Sequence, residues 1–326
     1  MKMNRALLWA AFISIVVIVS VAGTFYYLQT SSREKVVVST TTSLYDTGLL
    51  DAIEDRFEAE HPIDLYFISV GTGQAIQQAE RGDADVLLVH DPSRELQFLE
   101  SGFGVCRKII AYNFFIIVGP EEDPAGVDGL YPLEAMSKIA LAGRKGEVTW
   151  VSRGDDSGTH AKEKSLWLAA GYDWEVIREE AWYVESGTGM GKTLQIANEL
   201  EAYALADVGT YLKFFSDHLI VLKTLVDQGE DLLNVYSVVA VNVKKHPDVN
   251  FEGAITFIKF LISEEGQSII ESYGKEMYGQ SLFYPTVDLL EGNTNSTLVQ
   301  WIRGYAFFGG SECPPEYRDD HPELYP

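Results

Sequence analysis

After residue 33 the chain alternates short apolar, β-branched runs with stretches of helical period. Val36 to Val38 predicts a buried strand, and Leu49, Leu50, Ile53 and Phe57 then recur at helical spacing up to His61-Pro62. Leu65 to Val70 reads as the next strand, Ala75 to Arg81 as a short helix and Val86 to Val89 as a third strand. Strand, helix, strand, helix implies an α/β chain whose parallel sheet carries helices on its faces. The apolar run from Tyr112 to Val118, closed by Gly119-Pro120, opens a second lobe. Within it Val148 to Val151 and Trp182 to Val184 predict strands, while Leu166, Ala169 and Ala170, and then Met190, Leu194, Ala197 and Leu200, mark helices. Tyr236 to Val243 returns the chain to the first lobe, where Ile255 to Tyr273 predicts a helix. The expected division is a first lobe of 34–112 and 241–310, a second of 113–240, and an irregular Pro-, Asp- and Glu-rich tail of 311–326. Two crossings make a hinge, and a cleft between hinged lobes is where a small ligand binds.

The N-terminus follows a different pattern. Lys2 and Arg5 precede an uncharged run from Ala6 to Leu28, long enough for a helix to cross a bilayer, which takes about 20 residues. The positive flank places the N-terminus in the cytoplasm and the remainder outside. Residues 1–33 are therefore expected to be one membrane helix that anchors the chain, or a cleavable signal segment with Ser20 and Ala22 as the small residues of the cleavage site. No cysteine follows the run, so lipoprotein-type anchoring is not expected.

Composition narrows the function. The 326 residues carry a net charge of −23, which argues against a nucleic-acid partner because phosphate binding needs a positive footprint. The cysteines, Cys106 and Cys313, are far apart and in no metal-ligand spacing. They signal neither a disulfide framework nor a metal site, and their pairing is left open.

Three junctions between a predicted strand and a predicted helix carry candidate chemistry. Ser39-Thr40-Thr41-Thr42-Ser43 sets five consecutive hydroxyls where the first strand gives way to a helix, beside helix N-terminal N–H groups that lack partners. Gly71-Thr72-Gly73-Gln74 repeats the arrangement after the second strand, with glycines that admit a ligand to the backbone. Ser152-Arg153-Gly154-Asp155-Asp156-Ser157-Gly158-Thr159-His160 is the most telling. Arg153 offers planar donors and a permanent charge, Ser157 and Thr159 offer hydroxyls, Gly158 an exposed N–H, and Asp155 stands close enough to orient the guanidinium. Gly187-Thr188-Gly189-Met190-Gly191-Lys192-Thr193 suggests a nucleotide loop but fails on spacing, since the glycine required five residues before Gly191 is Ser186.

Taken in order, TTTS at Thr40 to Ser43, VGTGQA at Val70 to Ala75, DADVLLVHDP at Asp83 to Pro92, SRGDDSGTH at Ser152 to His160 and GMG at Gly189 to Gly191 resemble the tungstate-binding proteins of ABC transporters. These are a branch of the phosphate-binding-protein-like periplasmic proteins, and the match runs from about Val36 to Tyr284. The resemblance implies a two-lobed type II periplasmic binding protein fold with a hinged cleft. It also implies oxyanion contacts from Thr41, Thr42, Ser43, Arg153, Ser157, Gly158 and Thr159, with Thr72 as a further contact. No cofactor is expected. The implied ligand is tungstate or a related oxyanion, and the implied partner is an ABC permease subunit with its ATPase. The chain departs from the family pattern at Gly187 to Thr193 and at Asp207-Val208-Gly209-Thr210, where an arginine in place of Val208 would be usual.

Two other readings stand beside it. A phosphate-binding protein shares the Arg-Asp-x-Ser-Gly-Thr logic, and it would use a carboxylate such as Asp91 to accept the phosphate proton. A serine hydrolase would use Ser157 as nucleophile and His160 as base, although no nucleophile elbow or placed acid accompanies them.

Overall fold

The computed structural model describes residues 33–155, 157–292 and 296–325. The expected membrane or signal segment lies outside these residues except for Arg33, as does Asp156. Among the described residues no helix is long and apolar enough to cross a membrane.

The chain begins as β1 (Glu34–Thr41), α1 (Thr42–Tyr45), α2 (Leu49–Glu60), β2 (Ile63–Val70), α3 (Thr72–Arg81), β3 (Val86–Val89), α4 (Pro92–Glu100) and β4 (Gly104–Gly119). It continues as α5 (Pro132–Arg144), β5 (Trp150–Ser152), α6 (Gly158–Ala169), β6 (Tyr183–Glu185), α7 (Met190–Glu199), β7 (Ala204–Asp207), α8 (Val208–Ser216) and β8 (Lys223–Val226). It ends with β9 (Leu233–Val241), α9 (Phe251–Ile262), α10 (Glu264–Ser272), β10 (Tyr284–Pro285) and α11 (Thr297–Ala306), with short helical turns between.

β1 pairs in parallel with β2 and β3, so its Val36 and Val38 are covered on both faces and fully buried. β3 pairs antiparallel with β9, and β9 with β4. β4 then changes partners along its length. Gly104 to Phe114 ladder with β9, whereas Phe115 to Gly119 ladder with β7 and β8. One 16-residue strand therefore carries the chain from one sheet into the other. One core gathers Phe57, Phe257 and Phe283 around Val36 and Tyr236, and a separate one gathers Met136, Trp150, Trp167 and Tyr203.

Two expectations need correction. Ser39, Thr40 and Thr41 lie inside β1 and do not open the helix, because parallel pairing with β2 continues through Thr41. The single helix expected from Ile255 to Tyr273 is two. Ser263 turns out of α9 and caps α10 by accepting from the Gly266 N–H at 3.2 Å, and a side chain at Gly266 would lie 2.2 Å from Phe260 O. Periodicity alone does not register that corner. The tail beyond residue 310 holds only short 3₁₀ turns, yet it is packed: Cys313 and Leu324 are buried, and the Tyr325 hydroxyl donates to Arg107 O at 3.0 Å. Cys106 and Cys313 are free and buried, with Cys106 Sγ donating to Arg318 O at 3.1 Å.

Candidate anion-binding site

Helices α1, α3 and α8 start directly after β1, β2 and β7, and α6 starts after a short loop that follows β5. Their N-terminal N–H groups, free of intrahelical partners, are thereby gathered at the carboxyl edges of the strands. The hydroxyl run divides by depth. Ser39 Oγ donates to Gln78 Oε1 at 2.7 Å and Thr40 Oγ1 to Leu88 O at 2.8 Å, so the first ties β1 to α3 and the second ties it to β3. Thr41 Oγ1 caps α1 by accepting from the Leu44 N–H at 3.3 Å, and it lies 3.3 Å from Ser43 Oγ. Thr42 is half-buried at the first position of α1. Thr72, at the start of α3, is buried, and its hydroxyl has no hydrogen-bond partner among the described residues.

His90, where β3 ends, joins this group. Its Nε2 lies 3.4 Å from Ser43 Oγ and its Nδ1 lies 2.9 Å from Asn234 Oδ1. Asn234 Nδ2 donates to Asn113 Oδ1 and to the Tyr236 hydroxyl, so the amide oxygen faces the imidazole. Nδ1 then carries the proton, and Nε2 accepts from Ser43. Burial pushes the His90 pKa down to about 4, against the Asn234 hydrogen bond and with the help of the Arg153 charge. The ring is thus neutral near pH 7.

Arg153 is 3% exposed, and its Nη2 donates to Asp155 Oδ2 at 2.6 Å. Its Nε has no partner among the described residues, and its charge acts on Asp46, His90 and Asp207. The preceding residue, Ser152, is held by a buried carboxylate. The buried Glu163 carboxylate accepts from Trp150 Nε1 (2.8 Å), Trp167 Nε1 (3.2 Å), the Tyr183 hydroxyl (2.5 Å) and Ser152 Oγ (2.8 Å). Burial raises the Glu163 pKa and these donors oppose the rise. The glycine-rich loop after β6 closes over the same backbone: Gly187 N donates to Arg153 O at 2.8 Å. Gly191 is needed for close packing, because a Cβ there would lie 2.1 Å from Phe214 Cζ.

Ser157 caps α6 by accepting from the His160 N–H at 3.1 Å and donates to Asp155 Oδ1 at 2.5 Å. The His160 Nδ1 faces Asp155 O, and its ring meets Trp174 edge-on at 5.2 Å. The hydroxyl and imidazole thus address Asp155 and not each other, unlike a nucleophile with its base. Thr159 is buried with no partner for its hydroxyl among the described residues. At α8, Asp207 Oδ1 accepts from the Thr210 N–H at 2.8 Å, while Asp207 Oδ2 and Thr210 Oγ1 have no partner among the described residues. Burial raises the Asp207 pKa, against the Thr210 N–H hydrogen bond and the Arg153 charge.

The first and second lobes meet here. A Cβ at Gly158 would lie 2.7 Å from His90 Cε1, and one at Gly209 would lie 2.8 Å from Thr47 Cγ2. Thr41, Ser43 and His90 thus stand across from Arg153, Ser157, Gly158 and Thr159. Asp91 does not compete for a ligand: it caps α4 from Oδ1 to Arg94 N at 3.2 Å and pairs with Arg94. His90 and Glu163 were not singled out from the sequence. A strand-end position inside DADVLLVHDP was the available signal for His90, while Glu163 lies on an ordinary helical run and gives none.

Comparison with known proteins accords with this geometry. A family model, the PBP superfamily domain, matches residues 28–265. The tungstate-binding protein TupA of Peptoclostridium acidaminophilum is 40% identical over 257 residues, 79% of this chain and 87% of that protein. The solved tungstate-binding protein TupA from Desulfovibrio alaskensis G20 has a TM-score of 0.67 at 39% identity, over 77% of this chain and 98% of that one. The solved tungstate ABC transporter protein from Geobacter sulfurreducens has a TM-score of 0.66 at 43% identity, over 74% of this chain and 100% of that one. By sequence and fold alike, the chain belongs to the PBP superfamily, in the family of the tungstate-binding proteins TupA.

Proposed function

We propose that the chain binds tungstate between its two lobes and delivers it to an ABC permease with its ATPase. The binding groups are Thr41, Thr42, Ser43, Thr72, Arg153, Ser157, Gly158 and Thr159. One observation carries this reading: Arg153 Nε and the hydroxyls of Thr72, Thr159 and Thr210 are buried donors with no protein partner among the described residues. Each such group costs about 1–3 kcal/mol when left unmade, and a deprotonated tetrahedral oxyanion is a ligand made of acceptors alone. Neutral His90 adds no charge, and because it accepts the Ser43 hydroxyl proton in a hydrogen bond, Ser43 meets an acceptor-only ligand through its main-chain N–H in the first turn of α1. The relatives' role as binding proteins supports an extracytoplasmic location, and in this reading the run from Ala6 to Leu28 would serve as the tether.

Phosphate retains one observation in its favour. Asp207 Oδ2 is a buried, unpartnered carboxylate oxygen beside Arg153, able to accept the proton that phosphate keeps near neutral pH. Titration calorimetry at pH 7 against tungstate, molybdate, sulfate and phosphate decides between them. The expected order is tungstate first, molybdate next, and sulfate and phosphate far weaker. Phosphate binding as tightly as tungstate, with the tightness lost in Asp207→Asn, would make phosphate the ligand, and heat from none of the four would end the binding-protein reading.

A further inference from the structure

We propose that the C-terminal helix α11 is a latch on the closed cleft: it grips the crossing strands on one side and the ligand-binding helix α6 on the other, through Tyr305 and Lys162. The inference rests on the binding function proposed above. α11 lies beyond residue 265, where the family match ends.

The grip on the strands is apolar and polar together. Ile302 and Ala306 of α11 are buried against Ile109, Leu233 and Val235, which belong to β4 and β9 near the point where β4 changes sheets. The end of the helix is tied down by Arg107, whose Nη1 donates to Ala306 O at 3.0 Å. The same guanidinium lies 4.5 Å from the Phe308 ring and pairs with the buried Glu95 carboxylate at 2.8 Å.

The other grip is a single contact. Lys162 Nζ lies 4.5 Å from the centre of the Tyr305 ring. Lys162 follows Gly158 by one helical turn on α6, so whatever holds it holds the N-terminus that faces the anion. The side chain is 8% exposed, and Asp231 and Glu230 supply the nearby negative charge. A cation over an aromatic face is held more strongly where water is excluded. A cavity of about 510 Å³ adjoins the contact, lined by His90 and Asp91 of the first lobe, Gly158 and Lys162 of the second, and Tyr305 of the helix. Parting the lobes widens this cavity and draws Lys162 off the ring. A bound anion must then wait for that contact to break before it leaves, whereas the ligand-free lobes part and re-close on their own and an incoming anion enters while they are apart.

Stopped-flow tryptophan fluorescence on the full-length protein with tungstate tests this, with Trp174 against His160 as a reporter near the site. Tyr305→Ala is expected to release tungstate about tenfold faster with an unchanged association rate. Tyr305→Phe, which keeps the ring, is expected to restore slow release. Lys162→Met, which keeps the packing and loses the charge, is expected to behave as Tyr305→Ala does, and it serves if Tyr305→Ala fails to fold. Amide hydrogen exchange of the ligand-free protein gives an arm that needs no ligand. There the first turn of α6 should exchange faster in Tyr305→Ala than in the wild type. Unchanged release together with unchanged exchange would overturn the latch, as would a Tyr305→Phe variant as fast as the alanine one. If the wild type binds no tungstate, the binding reading fails and the exchange of α6 still decides the latch.

Discussion

At the scale of single residues the site turns on Arg153. Its guanidinium is buried, its Nη2 donates to Asp155, and its Nε has no partner among the described residues. Breaking a buried charge pair by removing one partner costs about 3–5 kcal/mol, so Arg153→Ala should weaken tungstate binding by at least about a hundredfold. Arg153→Lys should recover part of the loss, because an ammonium keeps the charge without the planar fork. Calorimetry measures both, and wild-type affinity in Arg153→Ala would move the site elsewhere. The sequence carried the type and order of these residues, including the pairing of Arg153 with Asp155, since both lie in one short loop. It did not show that Ser39 and Thr40 turn inward to Gln78 and Leu88 while Thr41 and Ser43 stay at the edge. The difference depends on how far β1 stays paired, which involves residues far away in the chain.

At the scale of elements, the start of α6 decides how closely the lobes approach. His90 cannot give way easily: it is held by Asn234 at 2.9 Å and stacked on Tyr236 at 4.9 Å. Alanine at position 158 would put its methyl 2.7 Å from the ring, and overpacking of this kind costs about 1–3 kcal/mol. Because the clash exists only when the lobes are together, Gly158→Ala should weaken tungstate binding about tenfold or more while leaving the melting temperature of the ligand-free protein nearly unchanged. A normal affinity in that variant would mean that the lobes do not meet through Gly158 when the anion is bound. Elements with one buried stripe, such as α2 with Leu49, Leu50, Ile53 and Phe57, were readable from periodicity. The corner at Ser263 was not, since α9 and α10 both keep a helical period across it.

For the whole molecule, His90 couples stability to pH. Its ordinary value is 6.5 and its folded value about 4, so between these pH values the unfolded chain binds a proton that the folded chain refuses. Its contribution is fully present above pH 6.5 and is lost as the pH falls to 4, up to about 3 kcal/mol. Asp207, with a raised folded value, acts in the opposite direction, so the informative quantity is the difference between wild type and His90→Gln. Denaturant unfolding from pH 7 to 4 should show a shallower fall in the variant, and equal slopes would remove His90 from the account. The sequence by itself determined the α/β order of strands and helices and the loops that bear hydroxyls and Arg153. All of these follow from local periodicity and from residue chemistry within a few positions. Only the tertiary structure decided that His90 lies at the candidate site, that Glu163 holds Ser152 next to Arg153, and that α11 lies against the crossing strands. Each of those depends on contacts between residues far apart in the chain, where burial sets both the pKa and the partner and no local pattern marks the meeting in advance.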